Sequence, residues 1–185
     1  MSAAELLKQA EEREIALCDS EDYGEMVRNA TEQMLLYFFE NRLEDARFLW
    51  RRSNPAIKTD TSLAAAWGVG QCLWQRNNVP EALRRLAHTA WGPSIAPLAA
   101  MVLDHIRQRE LAAIGLVFSA IPLAQVAKAL DLSDQHALDA CRQVGWAYDA
   151  TTTNIHPTPL AQADTSLDGL DQLQHLTAIV TQLTT

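Results

Sequence analysis

Apolar residues recur at steps of three and four from Ala3 to about Gln108, the spacing of helices that bury one face. Seven glycines and seven prolines punctuate the chain, mostly where a helix would end. The pattern is sharpest in the second predicted helix, where Met26, Val27, Ala30, Met34, Tyr37 and Phe38 share one face. Asp22 stands in position to cap it. The first half therefore reads as a helical stack.

Within that stack, Asn41-Arg42-Leu43-Glu44-Asp45-Ala46 and Asn77-Asn78-Val79-Pro80-Glu81-Ala82 match in character at an offset of 36 residues (41 to 77). That period is close to tetratricopeptide length. In each copy a polar turn leads into an acidic first helical turn, favoured by the helix dipole, and then an alanine small enough for close packing. Pro80 suits a helix start. Trp50 and Trp74 are each followed by an arginine-containing turn, LWRRS and LWQRN, with Trp67 two turns before Trp74. Core packing between antiparallel helices is the first reading of these rings, and a ligand-binding aromatic surface the second.

Beyond Pro93-Ser94 the pattern changes. A long apolar helix is predicted from Ile95 to Phe118, with Pro97 near its start, then a short helix over Pro122 to Leu130. Ser133 caps another from Asp134 to Val144, and Gly145 ends it. Trp146, Tyr148 and Ala150 alternate with polar or small residues, and a polar turn at Thr152 to Asn154 leads to Ile155 and His156, as in a β-hairpin. Three helices followed by a hairpin is the order of a winged helix. After a polar stretch containing Pro159, Leu170, Leu173, Leu176, Val180 and Leu183 fall on one helical arc, predicting a last amphipathic helix.

The expected organisation is mainly α. Residues 1–93 form tetratricopeptide-like helical repeats, and 94–157 a long helix plus a winged-helix subdomain. Residues 158–166 are a linker, and 167–185 a C-terminal helix whose apolar face either folds back or pairs with other chains.

Composition narrows the function. The 185 residues carry a net charge of −8, which disfavours phosphate backbones and anionic membranes as partners. In the would-be recognition helix Asp134 and Asp139 face a single Arg142, with Asp149 opening the wing, so protein contact fits this module better than nucleic-acid readout. The pairs Arg51-Arg52 and Arg84-Arg85 are expected on solvated faces, too sparse for a groove. MSAAELLKQAEERE carries acids where a secretion signal carries bases, and no apolar run has membrane-spanning length, so a soluble intracellular chain is expected.

Neither the five histidines nor Cys18, Cys72 and Cys141 have metal-ligand or disulfide spacing, so no metal and no cofactor is expected. Asp104 and His105 are adjacent on a helix and point apart rather than forming a dyad. No phosphate-loop, dinucleotide or nucleophile-elbow motif is present, and the Gly68-Val69-Gly70 pair reads as close helix contact. A catalytic role and a small-molecule substrate are not expected.

Helical repeats running into a winged helix is the layout of the PCI domain. ARFLWRRSNPAIK (46–58), AAWGVGQCLW (65–74) and VGWAYD (144–149) resemble, in order and spacing, motifs of the smallest-subunit family of the COP-nine signalosome. Outside these stretches, the first 40 residues and those from Thr158 onward match only in helical character. Sister subunits of the proteasome lid and of translation initiation factor three share the fold. The resemblance implies a non-catalytic scaffold, found in nucleus and cytoplasm, within a complex that removes a ubiquitin-like modifier from cullins and so regulates cullin-RING ubiquitin ligases. A separate metalloprotease subunit would do the chemistry. By the same analogy Trp146, Tyr148 and Ile155 would pair the hairpin with neighbouring PCI subunits. Leu170, Leu173, Leu176, Val180 and Leu183 would enter a bundle of C-terminal helices drawn from the other subunits.

Overall fold

A computed structural model describes residues 2–18, 20, 22–74 and 78–158. Six helices form three antiparallel pairs: α1 (Ala3–Ala16) with α2 (Tyr23–Phe39), α3 (Leu43–Arg52) with α4 (Thr61–Trp74), and α5 (Val79–His88) with α6 (Ala96–Val117). A single 3-10 turn, Ile57–Thr59, links the middle pair.

The 36-residue period extends to all three pairs. Ala10, Ala46 and Ala82 occupy matching places on α1, α3 and α5, and each is wholly buried. On the second helices Ala30, Ala66 and Val102 stand at the same step, all 6% exposed or less. Small or compact side chains at these points let neighbouring helices approach closely, which is why the repeat survives although most of its sequence differs. Asn41 takes the left-handed conformation (φ 58°) that reverses the chain between α2 and α3.

α2 departs from its one-sided pattern. Besides Ala30, Met34, Tyr37 and Phe38, the run from Gln33 to Phe38 is buried without a break. The cause is position: α1, α3, α4 and α6 all pack around the helix, so over this stretch no face remains for water. The donor groups of its buried polar side chains are therefore tied down, while Asn29 Oδ1 and Gln33 Oε1 are buried without a hydrogen-bond partner. Asn29 Nδ2 donates to the Ala10 carbonyl at 3.0 Å, Gln33 Nε2 to Glu14 at 2.9 Å, and the Tyr37 hydroxyl to Glu11 at 2.9 Å. Arg52 of α3 grips Glu14 with both Nε and Nη2, at 2.6 and 2.7 Å. Burial pushes the Glu14 carboxyl up, but the bonds from Arg52 and Gln33 outweigh it and hold it below the ordinary value.

The expected helix caps are present. Asp22 accepts from Glu25 N at 3.0 Å, Ser133 from His136 N at 3.4 Å, and Pro80 sits in the first turn of α5. Gly70 lets its neighbour approach closely, since a Cβ there would lie 3.0 Å from the Phe38 ring.

The second core begins at Leu111. There the end of α6, α7 (Leu123–Leu130) and α8 (Asp134–Gln143) cover a small sheet around Val126, Leu130, Cys141, Trp146 and Ile155. The sheet adds a strand to the expected hairpin: β1 (Ile121–Pro122) joins β2 (Ala147–Asp149) and β3 (Asn154–His156) in the order β1-β3-β2, antiparallel throughout. Two residues are too few for an alternation signal, and α7 consequently starts at Leu123 with Pro122 as its cap residue. Gly145, at φ 79°, makes the turn from α8 into β2.

α6 enters both cores, giving Ala99, Val102 and Ile106 to the first and Leu111 and Ile114 to the second. Arg107 Nε donates to the Leu130 carbonyl at 3.2 Å, and Arg84 of α5 binds Asp131 at 3.1 Å, closing the joint.

Because α2 is enclosed, removing one of its large side chains leaves a cavity that its neighbours cannot fill. Phe38→Ala is expected to lower unfolding free energy by about 3–5 kcal/mol in urea titration. Phe48→Ala, on an exposed part of α3, should change it by no more than about 0.5 kcal/mol.

Candidate partner-docking surfaces

The residues first assigned to partner contact on the hairpin divide by strand position. Trp146 is 3% exposed and Ile155 fully buried, both inside the second core, so their side chains are not available to a partner. Ile155 also lies on the central strand, where both edges are already paired. Tyr148, half-buried on β2, remains at an edge: β2 pairs only with β3 among the described residues, leaving its outer backbone groups open. At the other edge Pro122 lacks an N–H to offer. Trp146 has a different part, its Nε1 donating to the Thr158 carbonyl at 3.0 Å and fixing where the chain leaves the module. Leu170, Leu173, Leu176, Val180 and Leu183 lie outside the described residues.

A surface the hairpin reading missed precedes β1. Leu116, Val117 and Phe118 are 56%, 73% and 43% exposed, three large apolar side chains in succession where α6 ends. The long apolar run of α6 hid this strip, because nothing in it marks where burial stops.

The tryptophans of α3 and α4 pack between helices, the first of the two readings. Trp50 and Trp67 stack with centroids 4.7 Å apart, and Trp74 meets Trp67 edge-on at 4.6 Å. Cations close the ladder at both ends, Lys58 over Trp50 at 5.5 Å and Arg47 over Trp74 at 5.4 Å. The rings pack on one another, yet all three stay half-buried and line an open cleft of about 620 Å³ between α3, α4 and α5.

Each arginine pair is split between this cleft and a structural tie. Arg51 and Arg85 line the cleft, whereas Arg52 binds Glu14 and Arg84 binds Asp131. The expectation of solvated faces holds, since all four arginines are exposed, but Arg51 and Arg85 do border a cleft, because adjacent helix positions point about 100° apart and the packing sends them to different places. Gly68 opens room for Arg85, whose Nη1 would lie 2.8 Å from a Cβ there.

Chemistry does not converge on either surface. His105 stacks on Phe39 at 4.0 Å, while Asp104 lies 3.9 Å from Arg107, so the two form no dyad. Burial, and then Arg109, push the His105 pKa down. Among the described residues no three His, Cys, Asp or Glu side chains are placed to hold a metal, and no helix is long and apolar enough to cross a membrane. On α8, Asp139 pairs with Gln135 and Arg142.

Comparison with known proteins places these features in a lineage. The model of the CSN8/PSMD8/EIF3K family matches residues 27–166. The chain is 29% identical to "COP9 signalosome complex subunit 8" of Xenopus tropicalis over 97% of its own length and 92% of that protein. The protein of that name from Danio rerio is 31% identical, over 67% of this chain and 65% of its own. Its counterpart from Arabidopsis thaliana is 30% identical, over 64% and 60%.

Thiol reactivity offers a direct check on the packing. Burial pushes the Cys72 thiol up and that of Cys141 to about 11, and the two are 7% and 0% exposed, whereas Cys18 is exposed. One thiol is expected to react rapidly with an aromatic disulfide reagent at neutral pH in the native chain, and three in denaturant. Cys18→Ser should abolish the fast phase.

Proposed function

The chain belongs to the CSN8/PSMD8/EIF3K family, and on that premise we propose that it is a signalosome subunit whose work is assembly rather than catalysis. The observation that carries this reading is the strip Leu116, Val117 and Phe118, left in water at the entrance to a sheet with an open β2 edge. A monomeric protein gains nothing by exposing such a strip, and covering it with a partner removes the cost. The edge adds backbone donors and acceptors, which pair with another chain's strand in defined register.

In this reading the second core is a winged-helix module of a PCI domain, set against neighbouring subunits through Tyr148 and the β2 edge. The stripe Leu170, Leu173, Leu176, Val180 and Leu183 enters a bundle of partner helices. The chain contributes no catalytic group. Cullin-RING ligases are reached indirectly, through a complex whose metalloprotease subunit removes the ubiquitin-like modifier, in nucleus and cytoplasm. The motifs ARFLWRR and AAWGVG, together with the names of the relatives compared above, favour the signalosome over the sister complexes of the proteasome lid and initiation factor three.

Replacing Leu173, Leu176 and Val180 together with asparagine should reduce recovery of the chain with co-expressed signalosome subunits by on the order of tenfold. Its helical circular dichroism and cooperative melting should be retained. Equal recovery, or lost recovery accompanied by lost folding, would remove the tail stripe from the assembly interface.

A further inference from the structure

We propose that the tryptophan–arginine cleft is a docking site for an acidic, extended peptide segment of another protein. The inference goes beyond the assembly reading and does not rest on it.

Open hydrogen-bond donors carry the argument. Of the five tryptophans, Trp74 donates its indole N–H to the Leu43 carbonyl at 3.3 Å, Trp91 to that of Leu86 at 2.9 Å and Trp146 to that of Thr158 at 3.0 Å. The N–H groups of Trp50 and Trp67 meet no acceptor among the described residues, and both rings line the cleft. An indole with one side buried ordinarily finds a partner for its N–H, so two open ones side by side favour a ligand rich in acceptors. Arg51, exposed on the same cleft, makes no ion pair among the described residues and adds a guanidinium. Glu81, the carboxylate of the lining, is already held by Arg84 at 3.3 Å and Arg85 at 3.0 Å.

Charge agrees with the donors. Arg47, Arg51 and Arg85 against Glu81 give the lining a net charge of +2 (three minus one) on a chain whose total is −8. The cleft attracts an anion that the rest of the surface repels, which favours a short acidic stretch over a broadly acidic domain.

The rings decide the shape of the ligand. Trp67 stacks on one face of Trp50 and the Lys58 ammonium covers the other, while Trp67 is taken by Trp50 and by Trp74. No base or other flat ring can enter such a stack, which sets a nucleotide aside. What the rings turn outward is their edge, the positive rim of the π-system, and it prefers carbonyl and carboxylate oxygens. Helices α3 and α5 each pack on α4, so α4 makes the floor, with Arg47, Trp50 and Arg51 on one wall and Arg85 on the other. The volume of about 620 Å³ lies within the roughly 300–1,000 Å³ of pockets that enclose compact ligands, so a few residues of extended chain fit. Their backbone carbonyls accept from Trp50 and Trp67, and a carboxylate takes both arms of the Arg51 fork.

A fluorescein-labelled dodecapeptide of alternating glutamate and leucine, titrated with the full-length chain and followed by anisotropy, tests this. One saturable site per chain is expected, weakened by added salt, and the corresponding glutamine–leucine peptide should bind on the order of tenfold less tightly. Arg51→Glu should weaken binding on the order of tenfold, while Arg28→Glu, an equal change of charge at an exposed site on α2, should leave it unaltered. Trp50→Phe combined with Trp67→Phe keeps two aromatic rings but removes both N–H groups, and should also weaken binding on the order of tenfold. Should that pair disturb folding by circular dichroism, Arg51→Glu still decides, because its side chain is exposed and outside both cores. A benzophenone at the centre of the peptide should attach within residues 47–51, 67–74 or 81–85. Absence of binding, binding indifferent to Arg51→Glu, attachment elsewhere, displacement by inorganic phosphate at equal charge concentration, or a dimer of the chain that shuts the peptide out would overturn the proposal.

Discussion

The enclosure of α2 is the constraint on which the rest of the architecture depends. A helix buried without a break from Gln33 to Phe38 needs neighbours on every side, and four helices supply them. Enclosure leads the donors of Asn29, Gln33 and Tyr37 to named partners, since a polar group left unpaired there costs on the order of 1–3 kcal/mol, a cost that the partnerless Asn29 Oδ1 and Gln33 Oε1 carry. Those partners, Ala10, Glu14 and Glu11, all lie on α1, so the same bonds that engage the donors of α2 orient the first helix. Arg52 then extends the tie to α3 through Glu14. The helices that carry the aromatic ladder are in this way set by the same core against which Trp50 and Trp67 pack.

Rigidity passes from this core to the second by α6, which serves both, and by the Arg84–Asp131 and Arg107–Leu130 bonds at the joint. The tryptophan cleft, the apolar strip before β1 and the β2 edge are consequently held in a fixed relation. That arrangement is what the proposed assembly role would use. Each arginine pair shows the same economy of placement, one side chain locking the scaffold and its neighbour left to a surface.

Much of this was legible in the residues. Helical periodicity and caps such as Asp22, Ser133 and Gly145 located most elements, because local chemistry decides a helix end. The 36-residue match at Ala46 and Ala82 located the repeat, although its third copy, at Ala10, lacks the accompanying turn sequence and emerged only from burial. Periodicity did not reveal that α2 is surrounded, since its stripe of Met26 to Phe38 looks the same whether the opposite face meets water or another helix. Nor did it separate Trp146 and Ile155, which are core, from Tyr148, which is edge: strand order is set by a two-residue β1 too short to carry a pattern. The cleft was hidden for a related reason, since Arg51 and Arg85 are 34 positions apart (51 to 85) and meet only through helix packing.

The most direct test of the central claim is affinity purification of the tagged full-length chain from its native cells, with identification of what accompanies it. Recovery of a full set of signalosome subunits, including the metalloprotease and its cullin-modifier cleaving activity, is the outcome an assembly subunit requires. Recovery alone, or with proteasome-lid or initiation-factor subunits instead, would contradict it.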